Sequence, residues 1–335
     1  MANRENLYTI NHLTVEYHTR LGILRAVDDL TFEIKRGEVL GLVGESGCGK
    51  STLGKALMRM IEEPGKIVSG ELNFDGIDIM QLPEAQMREL RGSRISMIFQ
   101  DPLTSLNPVQ KVVEHLTETI QAHESHVSDK AARARAAELV DRLGISSNRL
   151  DDYPHQLSGG MRQRTMISLA LSLRADLVIA DEATTSLDVI VEAQFLDLLR
   201  ELRDEFDLTI LLITHNIGIV AQLADRIAIM YAARLAEIGG IHNCFFAPKH
   251  PYSQGLLQSV PTIKLEELDL YQMAGSPPDL THPPSGCRFH PRCPKVMDVC
   301  SQLTPTLKSI EPNWNVNCWL YEEIPEHLAA DAKTP

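Results

Sequence analysis

The chain contains the sequence Gly44-Glu45-Ser46-Gly47-Cys48-Gly49-Lys50-Ser51-Thr52, which fits the pattern G-x-x-x-x-G-K-[ST] of a phosphate-binding loop. Glycines in such a loop let backbone N–H groups surround phosphate oxygens. Lys50 is expected to reach the β- and γ-phosphates, and the Ser51 hydroxyl is expected to bind Mg²⁺. All nine residues are therefore candidate ligands of a nucleoside triphosphate.

The flanks of this loop support the same interpretation. Residues 38–43 form an apolar run typical of a buried strand, and residues 51–58 have the pattern of a helix that is just beginning. This order points the helix N-terminus, with its unpaired N–H groups, at the phosphates. A glycine-rich turn that binds nothing is the alternative, and the strand–loop–helix order disfavours it. The loop alone leaves the class of nucleotide hydrolase open.

A second apolar run, residues 177–180, ends in the carboxylates Asp181 and Glu182. In open α/β sheets, ligands bind beyond the carboxyl ends of the parallel strands, so this pair is expected to face the phosphates. Asp181 is the predicted Mg²⁺ partner, and Glu182 is the predicted group that polarises the attacking water. Solvated carboxylates with no catalytic role are the alternative for such a pair taken alone.

Two further segments complete the pattern. A third apolar strand, residues 208–213, leads to Thr214 and His215, although a lone histidine in that position is more often structural than catalytic. About a hundred residues after the phosphate loop stands Leu157-Ser158-Gly159-Gly160-Met161-Arg162-Gln163.

In this order the motifs resemble those of the ATP-binding-cassette (ABC) ATPases, whose signature sequence residues 157–163 match. The resemblance implies ATP and Mg²⁺ as ligands and two cassettes that close head-to-tail around two ATP molecules. It implies γ-phosphate contact by His215, Mg²⁺ contact by Gln100, adenine stacking on Tyr17, contact with the partner chain's ATP by Ser158, Gly159 and Gly160, and a place in the dimer interface for Asp188. Two positions depart from the family: Ala183 stands where proline is usual, and Asn216 stands where aspartate is usual.

Other segments resemble the oligopeptide/dipeptide branch of bacterial ABC importers. They are residues 99–108, residues 250–257, and the run 277–280 that precedes several cysteines. The resemblance covers essentially the whole chain and implies a subunit that hydrolyses ATP to drive import of di- or oligopeptides. Related ATPases of this branch serve nickel, oligosaccharide and opine uptake, so the solute stays open at this point.

The predicted fold is α/β: an ABC ATPase cassette with a phosphate-loop core, an antiparallel β subdomain and a helical signature subdomain, followed by a C-terminal cysteine-containing extension. We place the nucleotide-binding domain at residues 1–240, with the helical subdomain at about 101–170, and the extension at 241–335. Residues 274–294 are rich in proline, which predicts irregular structure there.

The amino-acid composition disfavours some classes of partner for this protein. The net charge is −13, from 32 Lys and Arg against 45 Asp and Glu, whereas broad nucleic-acid binding needs a cationic surface. This disfavours the alternative of an ABC ATPase in DNA repair or translation, and no nucleic-acid partner is expected.

No stretch of eighteen apolar residues and no secretory signal is apparent, so we expect a peripheral protein at the cytoplasmic face of the inner membrane.

Four of the six cysteines lie near the C-terminus: Cys287, Cys293, Cys300 and Cys318. Disulfides are rare in the cytosol, so the clustered thiols suggest a metal site. Residue chemistry alone leaves an iron–sulfur cluster, Zn²⁺ and unligated thiols open. The resemblance to dipeptide-transporter ATPases implies a [4Fe–4S] cluster on these four cysteines. A metal-sensing module that only binds ATP is a further alternative, disfavoured by the presence of Glu182 and His215.

The resemblance also implies partners: a second ABC ATPase subunit that is a paralogue, two transmembrane permease subunits, and a solute-binding protein in the full system. Neighbouring genes for such proteins would favour import over a soluble mechanochemical role.

Overall fold

The computed structural model describes residues 5–99, 105–184, 189–259 and 273–325. The chain divides into two compact units. The first unit comprises Met1–Leu7, Ile34–Val39 and Phe74–Ile213, and the second comprises Tyr8–Glu33, Leu40–Asn73 and Thr214–Pro335.

In chain order the elements are β1 (Asn6–Thr19), β2 (Gly22–Lys35), β3 (Val39–Val43), α1 (Lys50–Leu57), β4 (Gly65–Phe74), β5 (Ile77–Asp78), α2 (Glu84–Ser93), β6 (Ile95–Ile98), α3 (Val112–His123), α4 (Asp129–Arg142), α5 (Gly159–Leu171), β7 (Leu177–Asp181), α6 (Val189–Phe206), β8 (Thr209–Ile213), α7 (Ile217–Leu223), β9 (Arg226–Tyr231), β10 (Arg234–Gly240), α8 (Ile241–Phe246), α9 (Pro251–Gln258), α10 (Asp298–Gln302), β11 (Lys308–Glu311) and β12 (Trp314–Val316).

Parallel pairing in each unit places strand ends side by side. In the first unit, β7 lies between β6 and β8, with Leu177 opposite Ile95 and opposite Thr209. In the second unit, β3 is parallel to β9, with Val43 opposite Ile229. These short strands are buried along their whole length, as expected for strands covered on both faces. The strands predicted from the apolar runs are confirmed within one residue at each end.

The helical part of the first unit has its own core. Helices α3 and α4 bury one apolar face each, and Leu157 joins them just before α5 begins. The core residues are Val112, Val113, Leu116, Ala136, Val140, Ile145, Leu150 and Leu157. Since Leu157 belongs to the signature sequence, this core fixes the position of the first turn of α5.

The C-terminal region of the second unit is partly irregular and partly sheet. Residues 273–297 contain one short 3₁₀ turn at His290–Arg292 and otherwise loops, which confirms the expectation from their prolines. Beyond them, β12 pairs antiparallel with β10, and β11 pairs with β12. The indole N–H of Trp314 donates to Oε1 of the buried Glu237 at 2.9 Å. The C-terminal segment therefore continues the sheet at its β10 edge.

None of the helices in the described ranges is both long enough and apolar enough to span a bilayer.

The buried imidazole of His250 provides a test of this packing. Its Nδ1 accepts the Tyr252 N–H at 2.9 Å, which caps α9, and its own backbone N–H donates to Glu237 at 2.9 Å. The side chain belongs to a residue only 3% exposed, and burial lowers its pKa to about 3. The folded protein therefore holds a neutral imidazole that the unfolded chain protonates below its ordinary pKa of 6.5.

We predict that this residue makes the free energy of unfolding fall as pH decreases from 6.5 toward 3, because the unfolded state then binds the extra proton. The slope from one such group approaches about 1.4 kcal/mol per pH unit. His250→Asn keeps a capping side chain, so urea unfolding between pH 7 and 4.5 should show a shallower decline for this variant. His242→Asn, at an exposed histidine, is the control and should keep the natural slope. Equal slopes for all three proteins would contradict the prediction.

Candidate functional site

The loop between β3 and α1 has the backbone of a phosphate cradle. Gly44, Gly47 and Gly49 have φ values of 156°, 78° and 105°, and the last two are left-handed values that disfavour other residues. Helix α1 begins at Lys50 directly after Gly49. The unpaired N–H groups of its first turn therefore open toward the loop, where they can bind an anion.

Lys50 lies inside this loop. Its Nζ donates to the backbone oxygens of Gly44 at 2.8 Å and of Glu45 at 3.0 Å, and the residue is 5% exposed. The loop thus closes around the positive charge of the Lys50 ammonium. A bound phosphate would face this cation and the surrounding N–H groups, as the sequence predicted.

Neighbouring strands of the same unit hold the loop. A two-residue turn, Ala232 and Ala233, joins β9 to β10, and the Ala233 N–H donates to the Cys48 oxygen at 3.0 Å. Cys48 is buried, and burial raises the pKa of its thiol. The Cys48 side chain therefore packs inside the loop.

The carboxylates at the end of β7 belong to the first unit. Asp181 is 3% exposed, and the Glu182 N–H donates to the Ile213 oxygen at 2.8 Å, at the end of the adjacent strand β8. Glu182 has a φ of 47°, an uncommon value for a residue other than glycine. The chain turns sharply at this point, immediately after the strand.

The signature sequence begins α5 at the surface of the first unit. The Ser158 hydroxyl caps the helix by accepting the Met161 N–H at 3.3 Å. Ser158 and Gly159 are exposed, and a Cβ added at Gly159 or Gly160 would meet no described atom within 4 Å. The N-terminal turn of α5 is therefore accessible to a ligand along the described surface of this unit.

A buried amide connects this helix with the chain after β7. Gln163, 1% exposed, donates from Nε2 to the Ala183 oxygen at 2.7 Å. Ala183 is one of the two departures from the family pattern, and its backbone still receives this bond. The signature helix and the segment that follows Glu182 are thus tied together within one unit, which the sequence did not predict.

His215 belongs to the second unit and comes two residues after the last residue of β8. The preceding Thr214 donates its N–H to the Leu42 oxygen at 3.2 Å, beside the strand that leads into the phosphate loop. Asn216 caps α7 by accepting the Gly218 N–H at 3.0 Å. Asparagine caps helices as well as aspartate does, so this second departure keeps the local hydrogen bond.

The remaining predicted site residues are Tyr17, Gln100 and Asp188. Tyr17 is half-buried on β1, and its ring edge would lie 2.7 Å from a Cβ at Gly65, so the ring packs against that glycine. Gln100 and Asp188 lie outside the described residues. The roles of all these positions in ATP binding stay predictions.

The predicted metal site on Cys287, Cys293, Cys300 and Cys318 is wrong, both as a [4Fe–4S] cluster and as a Zn²⁺ site. Among the described residues, which include all four, no group of three or more Cys, His, Asp or Glu side chains is arranged to hold a metal ion.

The physical reason is that two of these thiols, those of Cys287 and Cys300, belong to a local apolar core. Cys300 packs with Val299 and Trp319, and Cys287 lies against this cluster. Burial raises the pKa of Cys287 to about 12 and that of Cys318 to about 11, so both stay protonated at neutral pH. Metals bind the thiolate, whereas buried neutral cysteines behave as hydrophobic residues.

Comparison with known proteins gives two family matches. A model described as "ABC transporter" matches residues 27–185, and a model described as "Oligopeptide/dipeptide transporter, C-terminal region" matches residues 236–300. Among solved structures, a dimeric ATP-binding cassette in a post-hydrolysis state with ADP and Pi has a TM-score of 0.65 at 25% identity. It covers 70% of this chain and 98% of its own.

Curated relatives match along nearly the full length. The dipeptide transport ATP-binding protein DppD of Bacillus subtilis is 43% identical over 98% of this chain and 99% of its own length. The oligopeptide transport ATP-binding protein OppD of Salmonella typhimurium is 44% identical over 91% of each. The DppD protein of Escherichia coli is 40% identical over 93% of this chain and 96% of its own.

The glycines of the loop give a prediction for stability. A Cβ at Gly49 would lie 1.9 Å from the Ala26 backbone oxygen, whereas a Cβ at Gly47 would meet no described atom within 4 Å. Both have left-handed φ values, so each alanine costs about 1–2 kcal/mol in backbone strain. Gly49→Ala adds a backbone clash and should lower the free energy of unfolding by at least about 2 kcal/mol more than Gly47→Ala. Urea unfolding without nucleotide measures both; equal losses would contradict the packing described here.

Proposed function

Because the chain belongs to the ABC transporter ATP-binding proteins of the oligopeptide/dipeptide type, we propose that its phosphate loop and signature helix act in one ATPase cycle with a second cassette. The chain is an ATPase that energises peptide import. The observation that carries this function is the loop of residues 44–52 wound around Lys50, in a chain whose signature turn has Ser158 and Gly159 exposed. Nickel, oligosaccharide and opine uptake, and soluble work in DNA repair or translation, are set aside in favour of peptide import.

We assign the ATP-side roles as follows. The N–H groups of residues 44–52 and the Lys50 ammonium hold the phosphates, and Tyr17 stacks on adenine. Ser51, Asp181 and Gln100 hold Mg²⁺, which neutralises charge on the β- and γ-phosphates when bound. Glu182 accepts a proton from the attacking water, and His215 contacts the γ-phosphate. Support comes from Asp181 and Glu182 at the end of β7 and from Lys50 and Ser51 in the first turn of α1.

For the partner side, we propose that Ser158, Gly159 and Gly160 bind the γ-phosphate held by another cassette. An exposed helix N-terminus with a serine cap and two glycines offers N–H groups and the positive end of the helix dipole to an anion. Asp188 is assigned to the same interface. The second cassette is a paralogue in this proposal, and a solute-binding protein delivers peptide to the two permeases.

We propose a nucleotide-binding domain at residues 1–240, with its helical subdomain at about 101–170, and a C-terminal region at 241–335. Docking of this cassette on permeases would hold it at the cytoplasmic face of the inner membrane.

Replacing the proposed base tests the catalytic assignment. Glu182→Gln keeps the shape of the side chain but cannot accept the proton of water. ATP hydrolysis by the assembled transporter should drop by about 10²–10⁴-fold, while ATP binding persists and a closed dimer accumulates. Glu201→Gln, at an exposed position of α6, is the matched control and should hydrolyse ATP at the natural rate. Near-normal hydrolysis by Glu182→Gln would refute the role of base.

A second test separates the two faces of the nucleotide. Lys50→Ala should abolish ATP binding by the isolated full chain, because the cation inside the loop is lost. Ser158→Arg should leave that binding intact and block dimer closure, measured by size-exclusion chromatography with ATP in the Glu182→Gln background. Ser128→Arg is the matched control, since Ser128 caps α4 in the same way by accepting the Ala131 N–H at 3.3 Å. If Ser158→Arg lost ATP affinity as Lys50→Ala does, the signature would not act across an interface.

A further inference from the structure

The phosphate loop carries a carboxylate, Glu45, and binds an anion. Two like charges in one site repel each other, and the repulsion is strong where burial lowers the effective dielectric. A cation that pairs with the Glu45 carboxylate would remove this repulsion. Lys50 is not that cation, because its ammonium donates to the Gly44 and Glu45 backbone oxygens.

Arg292, which is 247 positions later in the chain, supplies this cation. Its Nη1 donates to Glu45 Oε2 at 2.8 Å and its Nη2 donates to Oε1 at 3.0 Å, which is a two-bond fork. Only 6% of the Arg292 side chain is exposed, against 24% for Glu45. Bidentate pairs of this kind are the strongest ion pairs in proteins and fix the orientation of both groups.

The guanidinium is itself held on all sides. Its Nε donates to the Ala274 oxygen at 2.9 Å, and Nη1 also donates to the Tyr231 hydroxyl at 3.2 Å. Its plane lies over the rings of Tyr231 and Phe289, with distances of 5.6 and 6.0 Å to the ring centroids. The Glu45 carboxylate holds the pKa of Arg292 above its ordinary value. Arg292 is therefore charged and has one fixed position.

The same C-terminal segment contacts the loop in other places. Arg288 donates from Nη1 to the Ala232 oxygen at 2.8 Å, in the turn whose Ala233 N–H binds Cys48. The Glu45 N–H donates to the hydroxyl of Tyr252, whose ring packs on Phe289 with centroids 5.5 Å apart. Both the side chain and the backbone of Glu45 are thus positioned by residues from the C-terminal part of the chain.

We propose that Arg292 is a positioning residue for ATP binding. It neutralises the Glu45 carboxylate and fixes the position of Glu45 at the start of the phosphate loop. The affinity for nucleotide therefore depends on how residues 287–293 pack. This rests on the proposed function of residues 44–52. Arg292 touches Glu45 and acts on ATP through it.

A merely structural role makes a different prediction. If Arg292 only attached the C-terminal segment, its removal would harm the protein whether or not Glu45 is charged. If Arg292 compensates the charge of Glu45, its removal should matter much less once Glu45 is neutral.

The test is a double-mutant cycle on the full chain, with Glu45→Gln, Arg292→Gln and the double variant. Equilibrium binding of ATP with Mg²⁺ is measured for each protein, together with KM and kcat in the assembled transporter. Arg292→Gln should weaken ATP binding and raise KM by about tenfold or more, with kcat within about twofold. In the Glu45→Gln background the same change should cost less than about threefold.

Two further variants keep the test decisive. Lys295→Gln removes a nearby positive charge whose ammonium donates to Gln254 Oε1 at 3.4 Å, so this variant should bind ATP as the natural chain does. Arg292→Lys retains the charge but not the two-bond fork, so it should weaken ATP binding, and its loss should be smaller in the Glu45→Gln background; this variant serves where Arg292→Gln does not yield folded protein.

An equal loss from Arg292→Gln in both backgrounds would overturn the proposal, as would natural affinity in Arg292→Gln or an equal loss from Arg292→Lys in both backgrounds. Failure of the natural chain to bind ATP would instead overturn the function proposed for the loop. The two failures are thus distinguished by the natural chain alone.

Discussion

The structure of the second unit follows from one requirement: its phosphate loop has to surround an anion with hydrogen-bond donors. A phosphate loop must curve so that its N–H groups point inward, and only glycines adopt the backbone angles of Gly47 and Gly49 without strain. The glycines of such a loop have no side chains that could hold its shape. Lys50 closes it from within, while the turn at Ala232–Ala233 and the strands β3 and β9 hold it from outside. The parallel pairing of these strands thus serves the geometry of one short loop.

In the first unit, the turn that we propose as a second anion-binding element is exposed rather than enclosed. The signature turn of α5 is exposed and owes its position to what lies behind it: the core around Leu157 and the bond from Gln163 to Ala183. A surface that must receive a ligand from elsewhere has to be rigid without being covered. A helix N-terminus satisfies this, because its unpaired N–H groups face outward while the helix body is packed.

Local sequence patterns predicted the parts of the site that depend on local structure. The loop and the apolar strands each combine a period or a motif with a known backbone geometry, and the bounds of the strands were predicted within one residue. The metal site predicted on the cysteines near the C-terminus was wrong, because the spacing of cysteines in a sequence does not show whether their side chains are buried. Cys300 lies against Val299 and Trp319, and this apolar setting makes its thiol a packing group. The pairing of Glu45 with Arg292 left no trace in the sequence, since no periodicity relates residues so far apart.

That distance along the chain has a consequence for how the protein is made. Arg292 is synthesised 247 residues after Glu45. At about 5–20 residues per second, the interval is roughly 12–50 s. During this time a nascent cassette holds its phosphate loop without the guanidinium, and for most of it without Tyr252. The loop is thus translated well before the residues that complete its surroundings.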